Sequence, residues 1–430
     1  MYKILTLLLV ISFNSYSTTL NEAISQVVNE TNYENKANEV IIEQETYNSS
    51  ISSAKQTIVQ YTPTPYLFFT YSNPFQTHLD GTLPNNITIP PKFITGLVQK
   101  NYGFAIDYNI ASIPQAIKKI QSMIVVKAVA KSTMEGKESE FYYNLSTIYL
   151  ELYKTQATLS LQEKIYEIAK IRYTEIQKNT QYGMASKKDL LMSESDLLKA
   201  EMNLENYKNL LQNAQEKYIQ KFKIIHTDLT IPDTSLFSIA NNIEELRNKI
   251  LNNQNIIATN KLAQSYKIES NIEKLNLLPK VTLTYRQLFN NPDPSLGFPN
   301  YSQSIFSVNA NFNLLNINSY FASKKYSHEE KKKKAESKLM KSSYETEAVN
   351  IWHETQHQEQ MIIVLTKVVK NLQEVYLITK NEVRTGLKSY TEELLKKQEY
   401  QSAELELLNA KIKKAQNIQR LKFLTGQNTF

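Results

Sequence analysis

Gly183-Met184-Ala185-Ser186-Lys187-Lys188-Asp189-Leu190-Leu191 returns 203 residues later as Gly386-Leu387-Lys388-Ser389-Tyr390-Thr391-Glu392-Glu393-Leu394. Both copies read Gly-x-x-Ser-x-x-acid-x-Leu, and the same offset aligns Tyr173 with Tyr376, Ala200 with Ala403 and Leu204 with Leu407. The chain is therefore read as a duplication. Around each copy the punctuation is sparse. From Gln115 to Ile231 there is no proline, and glycine occurs only at Gly136 and Gly183; from Asn300 to Phe430 there is again no proline, with only Gly386 and Gly426. Stretches this free of breakers, rich in Leu, Ile, Ala, Glu, Lys and Gln, predict long helices. A helix over Gln115–Gln181 would run roughly 100 Å, as would one over Tyr320–Arg384. Helices of that length cannot wrap one compact core and need side-by-side, coiled-coil partners.

Eleven of the 12 prolines lie in two clusters, Pro63 to Pro114 and Pro279 to Pro299; Pro232 sits alone in a linker. Strands are expected in the clusters. Tyr102, Phe104, Ile106 and Tyr108 alternate with smaller or polar residues, as do Val281, Leu283 and Tyr285, and Phe306, Val308, Ala310, Phe312 and Leu314. Tyr66 to Tyr71 is apolar on both faces. Alternation over about nine residues suits a barrel strand with lipid outside and water inside. The hairpins fall within 65–109 and 280–314, with Pro/Asn-rich loops at Asn73–Lys100 and Phe289–Ser302. Tyrosines at strand ends (Tyr66, Tyr71, Tyr102, Tyr108, Tyr285, Tyr301) would suit interfacial girdles. Four strands cannot close a barrel, and open edges in hydrocarbon leave backbone groups unsatisfied at several kcal/mol each. Several copies must then contribute to one barrel.

Composition narrows the chemistry. The 430 residues hold 8 Gly and no Cys, which excludes disulfides, thiolate metal sites and cysteine nucleophiles, and no Gly-rich nucleotide motif occurs. The formal charge is +7, carried almost wholly by Lys; only Arg172, Arg247, Arg286, Arg384 and Arg420 are Arg. Base reading leans on the Arg fork, so nucleic acid is not an expected partner. The run Lys331–Lys334 follows two glutamates and reads as a solvated helix face. Met1-Tyr2-Lys3, an apolar run from Ile4 to Phe13, and small Ser15 and Ser17 form an export signal over residues 1–17. The first repeat then spans 18–232 and the second 233–430, each ordered helix, hairpin, long helix, short helix.

Together these features resemble the TolC family of outer-membrane export channels. The resemblance covers the mature chain and rests on the duplicated plan, the two Gly-x-x-Ser-x-x-acid-x-Leu segments, Leu278-Pro279-Lys280-Val281-Thr282-Leu283 opening a strand, and the closing Leu424-Thr425-Gly426. It implies a mainly α fold with a membrane β component. A homotrimer would form a 12-stranded β-barrel in outer-membrane lipid and an α-barrel through the periplasm. It implies an exit duct of a tripartite efflux pump or type I secretion system, working with a periplasmic adaptor and an inner-membrane transporter and needing no cofactor. Tyr182, Gly183, Met184, Gly386, Leu387 and Ser389 would then meet the adaptor. The resemblance also implies a periplasmic gate, with Lys388 linked to Asp189 and Glu392 ringing the aperture. Leu395 and Val383 stand where some relatives carry a second carboxylate and a gate tyrosine.

Two readings from other classes stand beside it. One is a periplasmic coiled-coil scaffold or adaptor without a pore. The other is a zinc hydrolase, since His353-Glu354-Thr355-Gln356-His357 is H-E-x-x-H on an expected helix. His353 and His357 share a face and Glu354 could act as base. A third ligand would have to come from Glu374 or Glu382, at least ~25 Å along the same helix and far beyond ligand distance, or from another helix or another copy.

Overall fold

A computed structural model describes residues 19–30, 38–60, 62–72, 99–110, 113–223, 229–232, 239–292, 301–311 and 316–427. The export signal, residues 73–98 and 293–300 of the hairpin loops, and the expected strand residues Phe312 and Leu314 lie outside these. The described elements run α1 (Leu20–Glu30), α2 (Asn38–Gln60), β1 (Thr64–Ser72), β2 (Gln99–Asn109), α3 (Ile113–Gln181), α4 (Lys187–Phe222), α5 (Ile243–Ile250), α6 (Gln254–Leu275), β3 (Lys280–Pro292), β4 (Tyr301–Asn311), α7 (Ile317–Arg384) and α8 (Tyr390–Thr425). The two long helices are 69 and 68 residues. Pro114 sits in the first turn of α3, where its missing N–H has no helical partner to lose. Two details differ from expectation. The helices after each glycine reach 36 residues and are not short. The second hairpin loop is also tighter than Phe289–Ser302, because β3 runs on through Pro292 and β4 starts at Tyr301. Backbone pairing to β2 holds Asn290 and Asn291 in strand, a constraint that local polarity does not display.

The chain forms two compact units, and each draws on both halves of the sequence. One unit, Glu45–Lys131 with Ala258–Ser337, contains the sheet. Its four strands pair antiparallel in the order β1-β2-β3-β4. Small polar residues let its helices approach closely. Ser122 Oγ donates to Glu269 at 2.6 Å, beside the Lys119–Glu269 ion pair, and Ser270 Oγ donates to the Ser323 carbonyl at 2.9 Å.

The other unit holds two apolar clusters. In the first, Leu20, Ala23 and Ile24 of α1 pack on Leu145, Tyr149 and Leu152 of α3 and on Tyr218 and Phe222 of α4. The fully buried Tyr149 hydroxyl donates to the Thr230 carbonyl at 2.8 Å and accepts from the Thr230 amide at 3.1 Å, so its polar end is satisfied inside the core. In the second, Leu246 and Ile250 of α5 pack on Ala348 of α7 and on Ile418, Leu421 and Leu424 of α8. The 203-residue offset relates Leu145 to Ala348 and Tyr218 to Leu421, both pairs buried.

The end of α8 closes on this second cluster through one side chain. Buried Asn253 donates from Nδ2 to the carbonyls of Phe423 (3.0 Å) and Leu424 (3.3 Å), while its Oδ1 accepts from the Asn255 amide. It thus caps the end of one helix and the start of another. Asn253→Ala leaves buried carbonyls without partners and is expected to cost about 1–3 kcal/mol. Asn252→Ala, next door and exposed, is expected to stay within about 0.5 kcal/mol of wild type. Thermal unfolding followed by far-UV circular dichroism compares the two.

Candidate functional site

The two tips where the long helices reverse are built alike. Gly183 and Gly386 take φ of +74° and +78°, and an added Cβ would meet nothing within 4 Å at either. Glycine is needed there for its left-handed backbone and not for space. Gly183 N donates to Thr180 O at 3.1 Å and Met184 N to Asn179 O at 2.7 Å; at the second tip Gly386 N donates to Val383 O at 3.0 Å and Leu387 N to Glu382 O at 2.9 Å. These are the paired bonds of a Schellman closure, which satisfy the last carbonyls of α3 and α7. Three residues past each glycine a serine opens the next helix. Ser186 Oγ accepts from the Asp189 amide at 3.1 Å, and Ser389 Oγ from the Glu392 amide at 3.3 Å. At the first tip the Asp189 carboxylate also accepts from the Ser186 amide and hydroxyl, completing a capping box.

The site residues read from sequence therefore divide. Tyr182, Met184 and Leu387 stand 76%, 72% and 77% exposed, three large apolar side chains in water at the two tips. Gly183, Gly386 and Ser389 shape the turns beneath them. Asp189 is engaged by its own helix start, and bonds from the Ser186 side chain and then its backbone hold the carboxyl below the usual carboxylate range. Lys388 pairs with Glu382 of its own hairpin at 3.1 Å. The Lys388–Asp189 link is thus not formed within one chain, because each group has a nearer partner in its own turn. Glu392 is exposed one turn into α8. Burial, followed by the charges of Glu393 and of Glu175 on α3, pushes the Tyr390 hydroxyl up, so the start of α8 lies near α3. Sequence reading passed over the capping role of Ser186 and the partner Glu382. The Ser-x-x-Asp spacing was the available signal for the first.

The sheet supplies a second candidate surface. Register places Leu67, Phe69, Tyr102, Phe104, Ile106, Leu283, Tyr285, Phe306 and Val308 on one face. Tyr102 stacks on Phe289 with ring centres 5.7 Å apart. Polar groups on this face answer one another: Gln287 takes hydrogen bonds from Ser304 and Tyr285. The opposite face carries Thr64, Asn101, Asp107, Thr284, Arg286 and Ser307. Tyr66 belongs to this polar face, where its hydroxyl donates to Asp107 at 3.1 Å, and so does not join an apolar girdle. A Cβ at Gly103 would stand 1.9 Å from the Gln287 carbonyl oxygen, so only glycine permits that approach of β2 to β3.

The H-E-x-x-H segment lies along α7. His353 and His357 are exposed on α7, and the His353 ring meets Trp352 edge-on at 5.2 Å. Glu354 faces Lys413 of α8 at 3.4 Å. Among the described residues no group of three or more His, Asp or Glu is placed to hold a metal ion. No described helix is long and apolar enough to cross a membrane.

No family model matches the sequence, and no curated protein does. Solved structures match it along its length. The outer membrane protein VceC from Vibrio cholerae superposes with a TM-score of 0.73 at 12% identity, covering 95% of this chain and 96% of that one. The Campylobacter jejuni CmeC outer membrane channel gives 0.73 at 13% identity, over 95% and 85% of the two chains. CusC, described for its transmembrane channel formation, gives 0.72 at 12% identity, over 94% and 91%. The chain shares the fold of these channels, very long helices with a four-stranded antiparallel sheet.

Ser186→Ala is expected to cost about 1 kcal/mol by loosening the start of α4. The Asp189 contribution has a defined pH course. Its folded pKa is lowered, so the stabilisation is present above the ordinary carboxylate pKa and is lost as pH falls through the lowered value. Asp189→Asn should therefore be less stable than wild type near neutral pH, and the difference should close in acid. Denaturant unfolding across pH reads it.

Proposed function

We propose that three copies of this chain close one 12-stranded β-barrel in the outer membrane. The helices would continue it across the periplasm as the exit duct of a tripartite efflux pump or type I secretion system. The observation that carries this reading is the sheet. It has an apolar aromatic face, a polar face and two open edges, β1 and β4. Such a sheet can contact hydrocarbon only if its edges are paired by other copies. The polar face, with Asp107 and Arg286, would then line water. The similar folds of VceC, CmeC and CusC support the same arrangement. The duct carries out no reaction; an inner-membrane transporter would drive export of small molecules or proteins through it.

The tips take the two remaining roles. Exposed Tyr182, Met184 and Leu387, on turns shaped by Gly183, Gly386 and Ser389, form the docking surface for a periplasmic adaptor. Lys388, Asp189 and Glu392 form the gate. In the closed mouth Lys388 reaches Asp189 of an adjacent hairpin pair, in competition with Glu382. Three symmetric Glu392 carboxylates would favour cations over anions.

Native mass and fractionation test the assembly. A trimer that needs detergent and fractionates with the outer membrane is the expected result. A detergent-free monomer in the periplasm would overturn it in favour of the scaffold reading. In planar bilayers, the double substitution Lys388→Ala with Asp189→Asn should raise single-channel conductance, and Glu392→Gln should reduce cation preference. Unchanged conductance would remove these residues from the gate.

A further inference from the structure

Lys and Arg number 49 in 430 residues, yet none falls on α7 between Lys341 and Lys367. His353 and His357 sit near the centre of that stretch. Two of the chain's five histidines thus stand one helical turn apart, on a run of helix with no cation of its own.

Contacts tell three faces of α7 apart here. Ala348, Ile351 and Trp352 pack on the apolar cluster around Leu421. Glu347, Glu354 and Glu359 pair with Arg420, Lys413 and Lys414 of α8 at 2.6, 3.4 and 2.9 Å, so these cations of α8 are answered by carboxylates. His353 and His357 occupy the remaining face and are exposed, as are the uncharged Asn350 and Gln360 on either side of them. Residues four apart on a helix have Cβ atoms about 5–6 Å apart. Both imidazoles can then reach a single ion at about 2.0–2.1 Å. The backbone that carries them lies inside a 68-residue helix, far from its fraying ends. The His353 ring is steadied as well: it meets Trp352 edge-on at 5.2 Å, and Trp352 is anchored in the cluster. Ordering these ligands around an ion therefore costs less side-chain entropy than ordering two free surface histidines.

We infer that His353 and His357 form a two-ligand site for a first-row divalent metal ion, with water in the remaining positions. Imidazole suits Cu²⁺, Ni²⁺ and Zn²⁺, and a chain without cysteine offers no thiolate to a softer ion. Cu²⁺ is expected to bind tightest, following the usual order of divalent affinities. Glu354 is not a ligand, because it is turned to Lys413 on the α8 side. Four-ligand zinc sites are closed and structural, whereas two protein ligands leave positions open to exchange. The ion is thus one that enters and leaves. The site is complete within one chain and does not depend on ring closure.

Trp352 is the only tryptophan, so its emission reports this site without background. Purified full-length protein is titrated with Cu²⁺ while that emission is followed. It should fall and level off at one ion per chain. Zn²⁺, which has a filled d shell, should compete and restore it, as should EDTA. His357→Gln keeps the contact between Trp352 and His353 but removes one ligand. Losing even a group that only supports a ligand costs about 10–100-fold in affinity, so this variant should need at least about tenfold more Cu²⁺ for the same quench. His328→Gln, also exposed on α7 but 25 residues away, should titrate like wild type. Far-UV circular dichroism checks that both variants stay helical. A quench that never saturates, or that is unchanged in His357→Gln, overturns the inference. Absence of any quench in wild type overturns it equally. None of these results bears on whether three copies form a channel, which native mass decides.

Discussion

The narrow stripe that joins α7 to α8 shows what holds this molecule together. Ile362, Leu365, Val369, Leu372, Tyr376 and Thr379 recur at steps of three and four, and they are the side chains that α7 covers near its tip. A straight helix of 68 residues presents its sides to water over about 100 Å, and no compact core can cover them. Stability must instead accumulate along seams, one turn after another, each contributing a few buried methyl groups. The two larger clusters, around Tyr149 and around Leu421, occur where the shorter helices α1 and α5 come in from the side. There the packing becomes two-dimensional, and polar groups such as Asn253 and the Tyr149 hydroxyl find partners inside it.

Seam packing also explains the tips. A long helix that ends in mid-solvent leaves four carbonyls without partners, and the helix that follows begins with four unpartnered amides. The Gly-x-x-Ser-x-x-acid segment answers both demands in seven residues. Left-handed glycine lets two amides fold back on the outgoing helix, and serine with its acid satisfies amides of the incoming one. The turn needs no hydrophobic contact of its own, and the side chains at its apex remain uncommitted. Tyr182, Met184 and Leu387 are exposed for that reason. A turn closed by backbone and capping bonds leaves the apolar groups at its apex free to face outward.

Much of this was legible in the sequence, for physical reasons that can be named. Proline and glycine act locally, so their absence from Gln115–Gln181 and Tyr320–Arg384 marked both long helices to within a few residues of α3 and α7. Period-two alternation is equally local, and it located β2, β3 and β4. The ends of the second hairpin loop were missed because pairing with β2, far away in sequence, extends β3 past the polar Asn290 and Asn291. Tyr66 falls at a strand end, the place of a girdle tyrosine, but its neighbours are apolar on both faces and only the register with Ala105 assigns its side. Charged residues were the least legible. Lys388 has carboxylates near it both along the chain and across helices, and composition cannot rank them; geometry selects Glu382, six residues back across the glycine.

That local pairing anchors the two charged groups unequally. The Asp189 carboxylate accepts from the Ser186 amide and hydroxyl, and the Asp189 amide donates to Ser186 Oγ, so moving the carboxylate away would loosen the start of α4. Lys388 is bound to Glu382 through a single half-exposed ion pair, a weaker hold than the capping box at Asp189. A link between the two groups would therefore form by movement of the lysine towards a fixed carboxylate. The lysine side chain is long enough to exchange one carboxylate for another without disturbing the Schellman turn beneath it. Such an exchange of partner leaves the capping bonds on both sides of each glycine in place. The backbone bonds that close the second tip, from the Gly386 and Leu387 amides to the Val383 and Glu382 carbonyls, do not involve the lysine side chain at all.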